Sequence, residues 1–295
     1  MTFTQKQNEL KMVQFDDTLV PLVDLCDQQD LEILFVTDCG SHAWGFAQET
    51  SDWDVKFVYM HKDKDKYLSL FEPMQHTSFQ GDNVSYDGYD IKKFLNLTLK
   101  GNANAYEMVA SQYLNAFTGD TARSLADFTT DVLSENLDKV LAHYSGLAHN
   151  TYKDRIKNVG EVTLKKWFYV VRPLLCCQHI FDEQKLPPLD FEQLLDYAEW
   201  RMNTGTLSND GRIPADAIKE MRMLLRMKRD GDLTKVGDMP MENVDRFAQG
   251  ALLYWRDYLN DLKEFGMLQE KVLTTPDNFD TIYRELLNGT FEYPK

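Results

Sequence analysis

Gly40-Ser41, followed eleven residues later by the pair Asp52 and Asp54, is the one stretch of this chain whose residue types and spacing suggest chemistry. A glycine lets backbone come close to a ligand, and a serine beside it offers a hydroxyl to a phosphate oxygen. If a helix starts at that point, its first N–H groups are unpaired and attract anions. Carboxylates two apart on a strand project from one face, roughly 7 Å apart at their Cα atoms. That arrangement suits hard divalent cations, which take oxygen ligands and keep phosphates and waters in their shells. Two such ions, about 3.5–4 Å apart, can stabilise both the entering and the leaving oxygen of a phosphoryl displacement. A third carboxylate on a neighbouring strand would complete the set and could take the nucleophile's proton. Singly these features are common; in this order, with a strand on each side, they describe a site.

The elements that must position them can be read from the hydrophobic pattern. Leu31-Glu-Ile-Leu-Phe-Val-Thr37 reads as a strand ending just before Gly40. Ser41–Gln48 can form a short helix, and Asp54-Val-Lys-Phe-Val-Tyr59 reads as the returning strand. Lys64–Phe71 reads as helical, Val84–Tyr89 as a further strand, and Ile91–Lys100 as a helix closed by Gly101. Beyond residue 120 the spacing is helical throughout. Trp167, Val170, Val171 and Leu174 form an apolar stripe, as do Ile218, Met221 and Leu225, and Pro187-Pro188 marks a break. The expectation is an α/β (α+β) architecture: a small mixed-sheet domain over residues 1–118, then an all-helical domain over 119–295.

Bulk composition narrows the partners. Apolar residues make up 43% and charged residues 27% of the 295, and Gly and Pro are sparse at 15 and 9, the balance of a globular chain. The formal charge of −15 disfavours a surface that grips long nucleic acid everywhere, so any such contact must be local. A metal-chelated nucleotide is not so penalised, because the cation offsets its phosphates. Cys26, Cys39, Cys176 and Cys177 show neither C-x-x-C nor zinc spacing and read as reduced thiols of a cytoplasmic protein. The polar stretch Met1–Val13 has no signal-peptide character, and no apolar run is long enough for a membrane span.

The segment Gly40-Ser-His-Ala-Trp-Gly-Phe-Ala…Ser51-Asp-Trp-Asp-Val-Lys-Phe resembles the DNA polymerase β-type nucleotidyltransferase superfamily, whose signature is a Gly-Ser turn followed by D-x-D. More narrowly it resembles the RlaP-type branch, the RNA-repair-associated nucleotidyltransferases. Asp87-Gly-Tyr-Asp90-Ile-Lys-Lys and Leu164-Lys-Lys-Trp-Phe-Tyr-Val-Val-Arg172-Pro are similar to further elements of that branch, and Pro187-Pro-Leu-Asp-Phe-Glu follows as expected. The chain departs from the branch at Asp38-Cys39, where Glu-Ser is commoner, and at His42, where Arg is commoner.

The resemblance implies Mg²⁺-dependent transfer of a nucleoside monophosphate from an NTP, ATP among them, to an acceptor hydroxyl, with two ions at the centre. Asp52 and Asp54 would be metal ligands and catalytic carboxylates. Asp90 is the third acid by resemblance, although its place before Ile91 also suits a helix N-cap; Asp87 is the alternative ligand. Gly40 and Ser41 would cradle phosphates, and His42 is a further phosphate donor.

Between Lys153 and Arg172 there are six Lys or Arg against two acids. Lys165, Tyr169 and Arg172 share a helix face. Resemblance gives Lys165, Lys166 and Arg172 a part in the nucleotide cleft, with Tyr169 placed to stack on a base; a solvated basic stripe is the competing reading. Lys219, Arg222, Arg226 and Arg229 form a second stripe, which either guides an acceptor such as an RNA end or pairs with acids of a neighbouring helix. The acceptor could equally be a small molecule or a protein hydroxyl. The rival functional class is a nucleotide-binding regulatory module without turnover.

Overall fold

The computed structural model describes residues 11–71, 73–117, 119–158, 162–204, 213–231, 241–266 and 275–293. Most of the Met1–Val13 stretch lies outside them. By contacts the chain divides into two units. One comprises 1–43, 51–132 and 272–295, the other 44–50 and 133–271.

The first unit is built on a five-stranded mixed sheet. α1 (Leu19–Gln28) leads into β1 (Leu31–Asp38), and β2 (Trp53–His61) returns antiparallel to it. β3 (His76–Gly81) and β4 (Val84–Asp90) form a hairpin, and β5 (Asn115–Ala116) adds a short edge. The spatial order is β3-β4-β2-β1-β5, with β4 parallel to β2. The strongly apolar run Leu31–Val36 is buried because sheet neighbours and helices cover it on both sides. α2 (Ile91–Leu99) packs on one face, with Phe94 edge-on to Phe35 at 5.5 Å. Tyr86, on the opposite face, donates its hydroxyl to the Thr18 carbonyl ahead of α1 at 2.8 Å. α3 (Ala103–Ala110), α4 (Asp120–Glu135) and α10 (Pro276–Asn288) complete this unit. Phe279 and Phe291, both in the last stretch of the chain, pack around Phe128 of α4.

The second unit is helical: α5 (Leu137–Tyr152), a π-helical turn (Lys153–Lys157), α6 (Leu164–Glu183), α7 (Phe191–Thr204), α8 (Ala215–Arg229) and α9 (Glu242–Glu264). Both expected stripes, Trp167-Val170-Val171-Leu174 and Ile218-Met221-Leu225, are buried. No described helix is long and apolar enough to cross a membrane.

Two local expectations are corrected. Residues 41–48 form a turn rather than a helix: Gly45 sits at φ 77°, outside helical space. The Gly40 and Ala43 amides, moreover, point inward to the Asp38 carboxylate. Over Lys64–Phe71 only a 3₁₀ turn forms, Lys64–Leu68, N-capped by Asp63. β3 and β5 went unread because His76–Gly81 lacks an alternating apolar set and Asn115–Ala116 is too short to carry one.

Candidate active-site face of the sheet

Asp38 organises the turn between β1 and β2. It ends an apolar strand, is fully buried, and its carboxylate accepts three backbone N–H groups: Gly40 at 3.1 Å, Ala43 at 2.9 Å and Asp54 at 3.0 Å. Burial nevertheless dominates and pushes its carboxyl up to about 7. The Cys39 amide donates to the Asp54 carbonyl at 3.0 Å, so the turn is clamped to the first residues of β2. Gly40 lies directly under the Asp54 side chain. A Cβ at position 40 would stand 2.0 Å from Asp54 Oδ2. Glycine there leaves room for a carboxylate rather than presenting an amide to a phosphate.

Asp52 and Asp54 are both exposed, on either side of the buried Trp53. The parallel pairing of β2 with β4 sets Asp54 opposite Ser85, Lys56 opposite Asp87 and Tyr59 opposite Asp90. Paired residues share a face, and the Ser85 hydroxyl donates to Asp54 Oδ1 at 3.4 Å. Asp54, Lys56, Ser85 and Asp87 therefore lie together on one face of the sheet. Asp87 is half exposed, with His76 Nε2 3.5 Å from its Oδ1.

The register does not bring Asp90 to this group. It stands five residues beyond Ser85, roughly 16 Å along the strand. Its side chain alternates to the other face with Tyr86 and Gly88, and it is fully buried. Its Oδ1 accepts the Lys92 amide at 2.8 Å as the N-cap of α2, and its Oδ2 accepts the Tyr67 hydroxyl at 2.5 Å. Burial raises its carboxyl above the usual carboxylate range, although Tyr67 and the Lys92 amide pull it down. These are the contacts of a capping residue.

Two buried or half-buried charged groups here were not singled out from sequence. Lys56 is half-buried; burial pulls its ammonium down, but Cys39, Tyr89, Glu107 and Asp87 around it leave it above its ordinary value. Glu107, on α3, is buried. The alternation of β2 put Lys56 on the Asp54 face, but only the fold shows that Asp87 and Glu107 flank it.

His42, expected to donate to a phosphate, packs against Trp53. Its ring is buried, stacked on Trp53 at 3.8 Å and 7°, with Nε2 3.1 Å from the Ser51 carbonyl. Ser41 is half-buried in the turn.

In the helical unit the expected cluster separates. Lys165, Lys166 and Tyr169 line a groove of about 580 Å³ with Asn150, Thr151, Asp154, Arg155 and Thr163. Arg172 does not line it. Its guanidinium is buried 4.5 Å from the Trp44 ring centroid, and its Nε donates to the Leu189 carbonyl at 3.1 Å. Residues 44–50 are strapped onto the same unit. The Phe191 amide donates to the Trp44 carbonyl, Arg229 to the Gly45 carbonyl, and Gln48 to the Lys228 carbonyl. Two residues of the second basic stripe are paired with acids of α7, Arg222 with Asp196 at 2.5 Å and Glu199 at 2.9 Å and Arg229 with Glu192 at 2.9 Å, while Lys219 pairs with Asp216 of its own helix.

Asp54 and Asp87 with the Ser85 hydroxyl are an oxygen-only donor set on one sheet face, of the kind a hard divalent cation takes; Asp52, expected on the strand, is exposed and stands one residue ahead of β2. Among the described residues no three His, Cys, Asp or Glu side chains are arranged to hold a metal ion.

Residues 16–266 match the family described as the RNA repair pathway DNA polymerase beta family, RlaP. The chain is 32% identical over 211 residues to the uncharacterized protein YcgL of Bacillus subtilis (strain 168), a span that covers 68% of this chain and 72% of that one. Among solved structures, it is similar to a nucleotidyltransferase-like protein from Exiguobacterium sibiricum 255-15 at 9% identity and a TM-score of 0.28, over 92% of this chain and 80% of that one.

Proposed function

We propose, from the premise that this chain belongs to the RNA repair pathway DNA polymerase beta family, that it transfers a nucleoside monophosphate from an NTP to an acceptor hydroxyl. The observation that carries the reading is the shared face of Asp54, Lys56, Ser85 and Asp87, with Asp52 two residues before Asp54 and Gly40 beneath its carboxylate. In the reaction the acceptor oxygen bonds to the α-phosphorus, the bond from that phosphorus to the bridging oxygen breaks, and pyrophosphate leaves. Mg²⁺ held by Asp52, Asp54 and Asp87, two ions in the full site, would supply Lewis-acid stabilisation of the transferring phosphoryl group.

The chain's own residues contribute positioning and charge. Asp87, at the half-exposed end of the set, takes the acceptor's proton on a carboxylate oxygen. Asp38 fixes the Asp54 backbone, so that carboxylate is presented in one place. The Lys56 ammonium offsets part of the negative charge that three acids and a triphosphate gather. Ser41 offers a hydroxyl to the β- and γ-phosphates. Asp90 caps α2 and takes no part in the chemistry. In the helical unit Lys165 and Lys166 offer cations to phosphate oxygens, with Tyr169 beside them.

The test is label transfer. Protein is incubated with each α-³²P NTP, Mg²⁺ and total RNA, protein or small-molecule fractions. Label enters one fraction with wild type, and Asp54→Asn lowers the rate at least about a hundredfold. Equal transfer by both proteins would sink the reading. An NTP-dependent rise in melting temperature with no pyrophosphate would favour a binding module instead.

A further inference from the structure

The groove of the helical unit differs chemically from the acidic sheet face. Among the described residues it is lined by three cations, Arg155, Lys165 and Lys166, against one acid, Asp154, in a chain of net charge −15. Asn150, Thr151 and Thr163 add neutral hydrogen-bonding groups, and Tyr169, 40% exposed, meets Trp44 edge-on at 5.7 Å. Its floor is irregular: α5 runs into the π-helical turn Lys153–Lys157, which carries Asp154 and Arg155 into the lining. π-turns are rare and recur at functional sites.

We infer that this groove holds the phosphates of a single-stranded nucleic-acid acceptor, with a base stacked on Tyr169. The inference rests on the nucleotidyl-transfer reading and names the acceptor's binding site within it. A triphosphate chelated by Mg²⁺ has much of its charge already offset and is served by carboxylates that hold the ion. Phosphodiesters bring no such ion, and are held by Lys and Arg directly. Among the described lining residues, three cations with a single acid match the second case. At about 580 Å³ the groove has room for a nucleotide and its flanking phosphates. An exposed aromatic at the edge of a basic channel is the stacking platform that strand binding uses without base preference. It also reconciles the strongly acidic composition with a polyanionic acceptor, because the contact is confined to one patch.

The experiment is fluorescence anisotropy of the full-length chain with labelled hexanucleotides, RNA and DNA, in EDTA across a salt series. The expected result is saturable binding of a strand whose affinity falls linearly with salt on logarithmic axes. Lys165→Ala with Lys166→Ala should weaken it at least about tenfold and flatten the salt slope by about 1.4. Tyr169→Leu should weaken it by about tenfold without changing the slope, and Tyr169→Phe should restore it. Mg·ATP should not displace the strand. Circular dichroism confirms that each variant is folded. No strand binding by wild type, unchanged binding by the folded double variant, or competitive displacement by Mg·ATP would overturn the inference. Strand binding without any NMP transfer would sink the transfer reading alone, and transfer without strand binding would sink the groove assignment alone.

Discussion

At position 40 a methyl group would occupy the space of the Asp54 carboxylate, 2.0 Å from its Oδ2. The Asp54 Cβ would also stand only 2.7 Å away, so rotating the carboxylate does not relieve the contact and Gly40→Ala must shift the backbone at Asp54. Misplacement of a reacting group by about 1 Å costs on the order of a hundredfold in rate. Steady-state kinetics should show that loss together with a lower melting temperature, since position 40 is buried in the turn that Asp38 holds against β2. Asp90 makes the opposite kind of prediction. Its carboxyl is raised by burial, against the pull of Tyr67, the Lys92 amide and the nearby His61 and Lys92 charges. The folded chain thus keeps this proton to higher pH than the unfolded chain does. Stability from this group is present below the ordinary carboxylate value, about 3.9, and is lost as pH rises through the raised one. Asp90→Asn removes that loss, because an amide does not titrate. The difference in melting temperature, wild type minus variant, should shrink as pH is raised from about 4 to neutrality. A difference that widened would contradict the assignment of Asp90 as a buried cap.

At the scale of elements, the α8 stripe looks basic in sequence, but its Arg222 is spent on α7, where it meets Glu192, Asp196 and Glu199. Partly exposed ion pairs contribute about 1 kcal/mol at most, so Arg222→Ala should lower the melting temperature by a few degrees, less at high salt. Strand affinity should not change, which separates this stripe from the Lys165 groove. The same contrast shows what sequence could convey. The strands carrying Thr37, Asp54 and Tyr89 were legible because apolar, β-branched and aromatic residues crowd them. The Gly40, Asp52 and Asp54 constellation was legible because its spacing is local. The choice between Asp87 and Asp90 was not, since both sit on one strand and only the β2–β4 register decides which stands beside Asp54. Nor was the turn at 41–48, where a buried carboxylate from the preceding strand takes amides that a helix would have left outward.

For the whole molecule, an excess of fifteen negative charges confines any polyanion to local cationic patches and leaves metal-offset nucleotides as natural ligands of the acidic face. The shift in periodicity near residue 120 does not mark the boundary between the two units, because the sheet unit runs on to residue 132 and keeps most of α4 (Asp120–Glu135). Nor does periodicity give the return of the C-terminal helix α10 to the sheet unit, which depends on the partners of Phe279 and Phe291 around Phe128. The central claim is that chemistry belongs to the face bearing Asp54 and Asp87 and not to the face bearing Asp90. Pyrophosphate release from NTP and Mg²⁺, with the labelled acceptor fraction present, should be compared for Asp87→Asn and Asp90→Asn below their melting temperatures. The account predicts a loss of about a hundredfold or more for Asp87→Asn with its stability intact, and near-normal turnover for a less stable Asp90→Asn. Full turnover by Asp87→Asn, with Asp90→Asn folded but inert, would contradict it.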